Sequence, residues 1–245
     1  MSKMDKTSFN ETIIQNWATH FKSSSAIVQQ PGTTLIPEKK YQGNKFIAIW
    51  HIGRHSFAQC DPNFELDIKR LIDGLPANTN LTGDLLREAW TKDPITAQDA
   101  GLTYYLFPPD LPIYSPPQPF QVRRLTTTDA ETMSTLHKAN TPEDVDEAFV
   151  EVDHEIAYGC LLGEQLVAAA SGYERAGFLD IGVITHPEFR KMGLGRAVVG
   201  SVCSWAIDRG IIAQYRHDVL NAKSKGVAKG LNFQMYFKSE TVYFK

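Results

Sequence analysis

The sequence predicts an α/β chain in two parts, and three observations predict it. Short apolar, β-branched runs alternate with stretches whose apolar residues recur at helical spacing. One stretch, 179–206, reads without a break as strand, proline, glycine-spaced loop and helix. Residues 108–119 hold six of the chain's 13 prolines. Such a segment is extended and semi-rigid and joins a sheet poorly. It is the expected linker between an N-terminal α/β domain, 1–118, and a second domain, 119–245.

The first half opens with a helix over 8–22. Ser8 and Glu11 have the spacing of a capping box, and Ile13, Ile14, Trp17 and Phe21 form one apolar stripe. Residues 31–44 are turn-rich. Lys45–Ile52 reads as a strand, and Arg54–Gln59 can pair with it across Gly53. Asp61 and Pro62 then open a helix with Phe64, Ile68, Leu71, Ile72 and Leu75 on its buried face. A short helix, Asp84–Trp90, follows, and Leu102–Phe107 reads as a strand. His51 and His55 stand four apart, but on a strand and turn rather than a helix. A metal site is not expected there.

In the second half, Phe120–Leu125 is a short strand. Thr128 or Asp129 caps a helix to about Lys138, and Pro142 starts another. Ile156–Leu162 and Gln165–Tyr173 form two strands around Gly163-Glu164. The central strand, Leu179–Thr185, ends at Pro187, which lacks a backbone N–H. Val198, Val199, Val202, Trp205 and Ala206 then recur at helical spacing up to Gly210. Ile211–Val219 is a strand and Ala222–Leu231 a helix. Phe233–Phe237 and Thr241–Phe244 are read as a closing pair.

Composition excludes several functions. The 245-residue chain carries a net charge of −3, and both halves are slightly acidic, which argues against a nucleic-acid partner. Cys60, Cys160 and Cys203 lie far apart; an odd, sparse count suits a reducing compartment. No apolar run approaches the ~20 residues of a membrane helix, and no secretory signal is visible. The expected location is cytoplasmic, with no membrane partner. Oligomeric state is not legible.

The loop Arg190-Lys191-Met192-Gly193-Leu194-Gly195 carries the chemistry. Two glycines allow close backbone approach. The N–H groups of a helix's first turn favour an anion, and Arg190, Lys191 and Arg196 add positive charge. The natural ligand is a phosphate or diphosphate. No Gly-Lys-Ser/Thr follows, so this is not a nucleoside-triphosphate loop. Val198 stands where the dinucleotide fingerprint needs its third small residue.

Arg190-x-x-Gly193-x-Gly195, directly after a strand ending in Thr185-His186-Pro187, resembles the acetyl-CoA loop of the GNAT superfamily of N-acetyltransferases. The order β-α-α-β-β-β-α-β-α-β-β over 120–245 is similar to that fold. The resemblance implies a mixed, mostly antiparallel sheet flanked by helices, preceded here by a smaller α/β domain that looks like the extension of some larger members. It implies acetyl-CoA as co-substrate, no metal, and an amine acceptor, cationic if the acidic residues line its path. Val183, Ile184 and Thr185 would offer a strand edge to the pantetheine arm if the next strand splays away. Arg190, Lys191, Met192, Gly193, Leu194, Gly195 and Arg196 would hold the diphosphate. Asn221, at the start of the last helix, would be a further contact, and its other reading is a helix cap.

Catalytic residues are less legible. Alignment on Asn221 and Phe233 sets Ala228 at the family's usual tyrosine position, so the acid that protonates the departing thiolate must come from elsewhere. Ser224, Tyr215 and Tyr236 are candidates. Seven carboxylates crowd residues 143–155. Glu151 and Glu155 are the preferred bases among them, against the alternative of a solvated charged face. The function expected is N-acetylation of a small-molecule or peptide amine. The rivals are a non-catalytic acyl-CoA-binding or sensor module, suggested by the missing tyrosine, and a structural domain with a vestigial loop.

Overall fold

The computed structural model describes residues 5–245. In chain order the first elements are α1 (Lys6–His20), β1 (Gly32–Pro37), β2 (Phe46–Ile52), β3 (His55–Cys60), α2 (Glu65–Asp73), α3 (Gly83–Ala89) and β4 (Ile95–Tyr105). They are followed by β5 (Gln121–Arg124), α4 (Ala130–Lys138), α5 (Pro142–Ala148), β6 (Ile156–Leu162), β7 (Gln165–Arg175) and β8 (Phe178–Thr185). The last are α6 (Leu194–Ile207), β9 (Ala213–Asp218), α7 (Ala222–Gly230) and β10 (Gln234–Phe244). The chain forms two compact units. One runs to Thr103 and adds His217–Leu220 and Met235–Lys245; the other comprises Tyr104–Arg216 and Asn221–Gln234. The Pro-rich segment lies inside the second unit.

In the first unit the strands run β1-β3-β2-β10-β4. Side chains alternate across this sheet. Ile47, Ile49, Ala58 and Cys60 pack with Phe64, Ile68 and Leu86. Trp50 and Phe57 meet α1 instead, with Trp17 5.3 Å from Trp50 and Phe21 4.5 Å from Phe57, centroid to centroid. Burying each such ring contributes roughly 1.5–3 kcal/mol.

Three readings of the sequence are corrected here. The cap of α1 is Asp5, whose Oδ1 accepts the Ser8 N–H at 2.8 Å; Ser8 lies inside the first turn. The turn-rich stretch 31–44 contains β1, because Thr33–Ile36 is β-branched and apolar between its flanking Gly32 and Pro37 and pairs parallel with β3. The closing pair is one continuous strand, β10. Lys238, Ser239 and Glu240 stay in register opposite His51, Trp50 and Ile49.

Glu240 can remain in that strand because its buried carboxylate is satisfied. Oε2 meets His51 Nε2 at 2.8 Å and accepts the Gly83 N–H at 3.0 Å, and Oε1 accepts from Lys238 Nζ at 2.9 Å. The His51 hydrogen bond, with help from Gly83 and Lys238, holds the carboxyl down to about 2. His51 Nδ1 meets Ser56 Oγ, while His55 is bonded to Thr34 and the Gln30 carbonyl. Both histidines are structural. No metal-type cluster of three or more His, Cys, Asp or Glu occurs among the described residues.

In the second unit the strands run β9-β8-β7-β6-β5. Pairing is antiparallel from β5 to β8. β8 and β9 are parallel, giving the mixed, mostly antiparallel sheet expected. Helix α6 covers one face through Val198, Val199, Val202, Cys203 and Ala206, which pack with Ile181 and Tyr215. Helix α4 covers the other, setting Met133 and Leu136 against Ala169 and Ile184. Alternation along β8 therefore turns Ile181 and Val183 toward α6, and Asp180, Gly182 and Ile184 away from it.

All three cysteines are free and buried. Burial pushes the thiols up, Cys60 to about 12 and Cys160 to about 11, with Cys203 raised further. No described helix is long and apolar enough to cross a membrane.

Candidate active site

The site begins where β8 and β9 part. Their pairing is limited to Leu179↔Ala213, Asp180↔Gln214 and Ile181↔Tyr215. Beyond it, Gly182–Thr185 keep β7 on one side and have no β9 partner on the other. A cavity of about 750 Å³ opens there, walled by the end of β8, the following loop, the first turns of α7 and the end of α5.

The loop reaches α6 through two left-handed residues, Lys191 at φ 66° and Gly193 at φ 81°. Helix α6 starts at Gly193 without a side-chain cap, so no side chain claims the N–H groups of its first turn. A side chain at Gly193 would collide with the Tyr114 hydroxyl. Tyr114 comes from the Pro-rich segment. Its ring lies 4.7 Å from the Arg196 guanidinium, and its hydroxyl accepts from Arg196 Nη2 at 3.3 Å. Arg190 is held differently. Its Nη2 donates to Asp144 at 2.8 Å and to Asn140 at 2.6 Å, and its Nε donates to the Thr185 carbonyl. Its charge is answered by Asp144, which leaves Lys191 and Arg196 as the cations of the loop.

Ten of the eleven residues expected to hold a coenzyme line the cavity: Val183, Ile184, Thr185, Arg190, Lys191, Gly193, Leu194, Gly195, Arg196 and Asn221. Met192 is exposed and does not. Asn221 has a cap role of the kind the sequence allowed, and a second one. Its Oδ1 caps α7 by accepting the Ser224 N–H at 3.0 Å, and its Nδ2 donates to Glu147 at 2.7 Å.

The expected catalytic residues separate. Ser224 lines the cavity, and its N–H donates to Asn221 Oδ1. Burial pushes the Tyr215 phenol up to about 12. Tyr236 belongs to the first unit, where its hydroxyl is bonded to Asn10 at 2.5 Å. Glu151 and Glu155 are exposed and not among the lining residues. In the turn after α5, Val150 and Val152 pack inward and Ile156 is buried, while the carboxylates between them face solvent.

The sequence reading ranks Asp180 low as a base and does not single out Glu147, Tyr173 or Arg216, all of which line the cavity. Glu147 is on the wall, one helical turn from Asp144; that i, i+3 spacing was the available signal. Tyr173, Asp180 and Arg216 form one network. The Asp180 carboxylate, 3% exposed, accepts from Tyr173 Oη at 2.9 Å, from Gln214 Nε2 at 3.1 Å and from Arg216 Nε at 2.9 Å and Nη2 at 2.5 Å. Asp180 is thus saturated with donors and is not a base.

A family model described as GNAT acetyltransferase matches residues 114–242, more than half of the chain. The chain belongs to the GNAT acetyltransferase family. Two solved structures agree on the fold. A GNAT-family acetyltransferase from Colwellia psychrerythraea matches at TM-score 0.52 and 15% identity, over 77% of this chain and 76% of that one. A functionally unknown conserved protein from Staphylococcus epidermidis matches at TM-score 0.52 and 13% identity, over 74% and 78%. A GCN5-related N-acetyltransferase from Kribbella flavida gives TM-score 0.49 and 17% identity over 68% of this chain, which spans 65% of that one, just under two thirds. No curated protein matches in sequence. As a GNAT acetyltransferase the chain is an acyltransferase. In this GNAT acetyltransferase Ala228 is 1% exposed and packed in the α6 core beside Tyr215.

Proposed function

We propose that the chain transfers an acetyl group from acetyl-CoA to a primary amine of a small molecule or peptide. One observation carries the reading: the parting of β8 and β9 after Ile181↔Tyr215 leaves Gly182–Thr185 open beside the uncapped start of α6. An extended arm with amide groups can pair with that strand edge. The N–H groups of α6, with Lys191 and Arg196, can hold a diphosphate. Gly226 supports the fit, since a Cβ added there would meet nothing within 4 Å on the cavity wall.

When bound, acetyl-CoA supplies an acetyl group activated as a thioester. The chain's own groups account for the rest. Glu147, fixed by Asn221 Nδ2, takes the proton from the attacking amine. A backbone N–H in 182–185 donates to the oxygen that gains charge. The C–N bond forms and the C–S bond breaks. Ser224, on the cavity wall, gives the departing sulfur its proton. Holding both partners in line supplies much of the rate.

The test is a calorimetric titration of acetyl-CoA into wild type and Gly193→Val. Micromolar binding lost in the variant is expected. No binding by a folded wild type overturns the reading. A second reading, an acyl-CoA sensor, is favoured by Ala228; it predicts binding without release of CoA to any amine.

A further inference from the structure

Five cationic side chains line the cavity. Arg190 and Lys223 are both bound to Asp144, at 2.8 Å and 3.3 Å. Lys191 and Arg196 belong to the glycine loop. That leaves Arg216, on the strand that parts from β8. Tyr215, the residue before it, packs in the α6 core, so Arg216 projects to the opposite face with Asp180.

Arg216 is oriented but not used up. Its Nε and Nη2 donate to Asp180, and Nη2 also to Tyr173 Oη at 3.3 Å. Its Nη1 has no partner among the described residues. The side chain is 31% exposed and lines the cavity. A guanidinium gripped on one edge by a carboxylate, with its remaining N–H groups turned to a cavity, is preorganised for a planar anion. Tyr173 and Gln214, the other donors to Asp180, are neutral, so Arg216 and Asp180 form a charge-balanced pair, and what Arg216 offers an anion is the N–H donors of its free Nη1. Glu147 also lines this cavity; its Oε1 accepts from Asn221, and its Oε2 has no partner among the described residues. The cavity therefore offers both an acceptor for an amine and a donor for an anion.

We propose that the acceptor is an amino acid: its amine meets Glu147 and its carboxylate is bound by Arg216 Nη1. This rests on the acetyltransferase reading and narrows it. The carboxylate takes no part in the bond changes. It fixes the amine in line, and Arg216 is a specificity-determining residue.

The experiment compares α-amino acids with their amides and their decarboxylated amines (glycine, glycinamide and methylamine, for example), at matched free-amine concentration. CoA release and the N-acetyl product are both measured. The wild type should favour the acid over the amide by about 100-fold in kcat/KM, as sites built to bind a polar group do. Arg216→Gln should bring the two within about threefold, with acetyl-CoA affinity within about twofold of wild type. The wild-type comparison stands even if that variant does not fold. Equal turnover of acid, amide and amine overturns the proposal and leaves acetyl transfer intact. So does coenzyme binding with turnover of none of the acids. No binding of acetyl-CoA takes down the acetyltransferase reading with it.

Discussion

Each unit buries one strand carboxylate among donors, and the two differ in what lies beyond the donors. Glu240 in the first unit is 4% exposed and Asp180 in the second is 3% exposed. The donors of Glu240 come from His51, Lys238 and the Gly83 backbone, and none of these lines the large cavity. Asp180 is held by Tyr173, Gln214 and Arg216, and Tyr173 and Arg216 do line it. A buried carboxylate with closed partners fixes a strand register. One whose partners border a cavity aims a functional group.

The comparison can be broken or sharpened by substitution. The largest effect is expected from Glu147→Gln, which removes the proposed base; kcat should fall by about 10²–10⁴-fold with thermal stability unchanged. Asp180→Asn should loosen Arg216 and lower kcat/KM for the acceptor by about 100-fold, while the acetyl-CoA dissociation constant stays put. If Asp180→Asn weakens coenzyme and acceptor alike, Asp180 holds the fold as Glu240 does and the contrast fails.

Glu240→Gln should do the reverse, lowering stability by about 3 kcal/mol in urea unfolding without altering turnover. The same residue predicts an acid limb. An ordinary glutamate carboxyl sits at 4.5, and the folded protein holds this one at about 2. The folded state thus binds this proton less readily than the unfolded state. Its stabilisation is fully present above pH 4.5 and is lost as pH falls toward 2. Urea midpoints across that window should fall steeply in wild type and more gently in Glu240→Gln. The smallest effect belongs to Tyr114→Phe, which loses one 3.3 Å bond to Arg196 and keeps the ring over the guanidinium. Acetyl-CoA affinity should change by less than about threefold, as befits a net hydrogen-bond contribution near 0.5 kcal/mol.

What the sequence reveals follows from range. The strand, loop and helix of 178–207 are legible because every signal, from Pro187 to Gly193, is local. Strand β1 is hidden by its own boundary residues, and the continuity of β10 by Glu240, whose partners at His51 and Gly83 lie 189 and 157 residues away. The capture of Arg190 by Asp144 spans 46 residues and is likewise invisible in one dimension. Charge density favours Glu151 and Glu155 over Glu147 because it carries no direction. The inward packing of Val150 and Val152 supplies it. Arg216 is recognisable as the residue following a core tyrosine on a strand, but nothing local says that β9 parts from β8 there.

The burial of Cys60, Cys160 and Cys203 has a practical consequence. A disulfide reagent reports thiolate that it can reach, and these three thiols are neither accessible nor ionised near neutral pH. The folded protein should contribute almost no colour of its own, so absorbance in a continuous assay counts the coenzyme's sulfur alone. A slow rise without acceptor would mark unfolding rather than turnover.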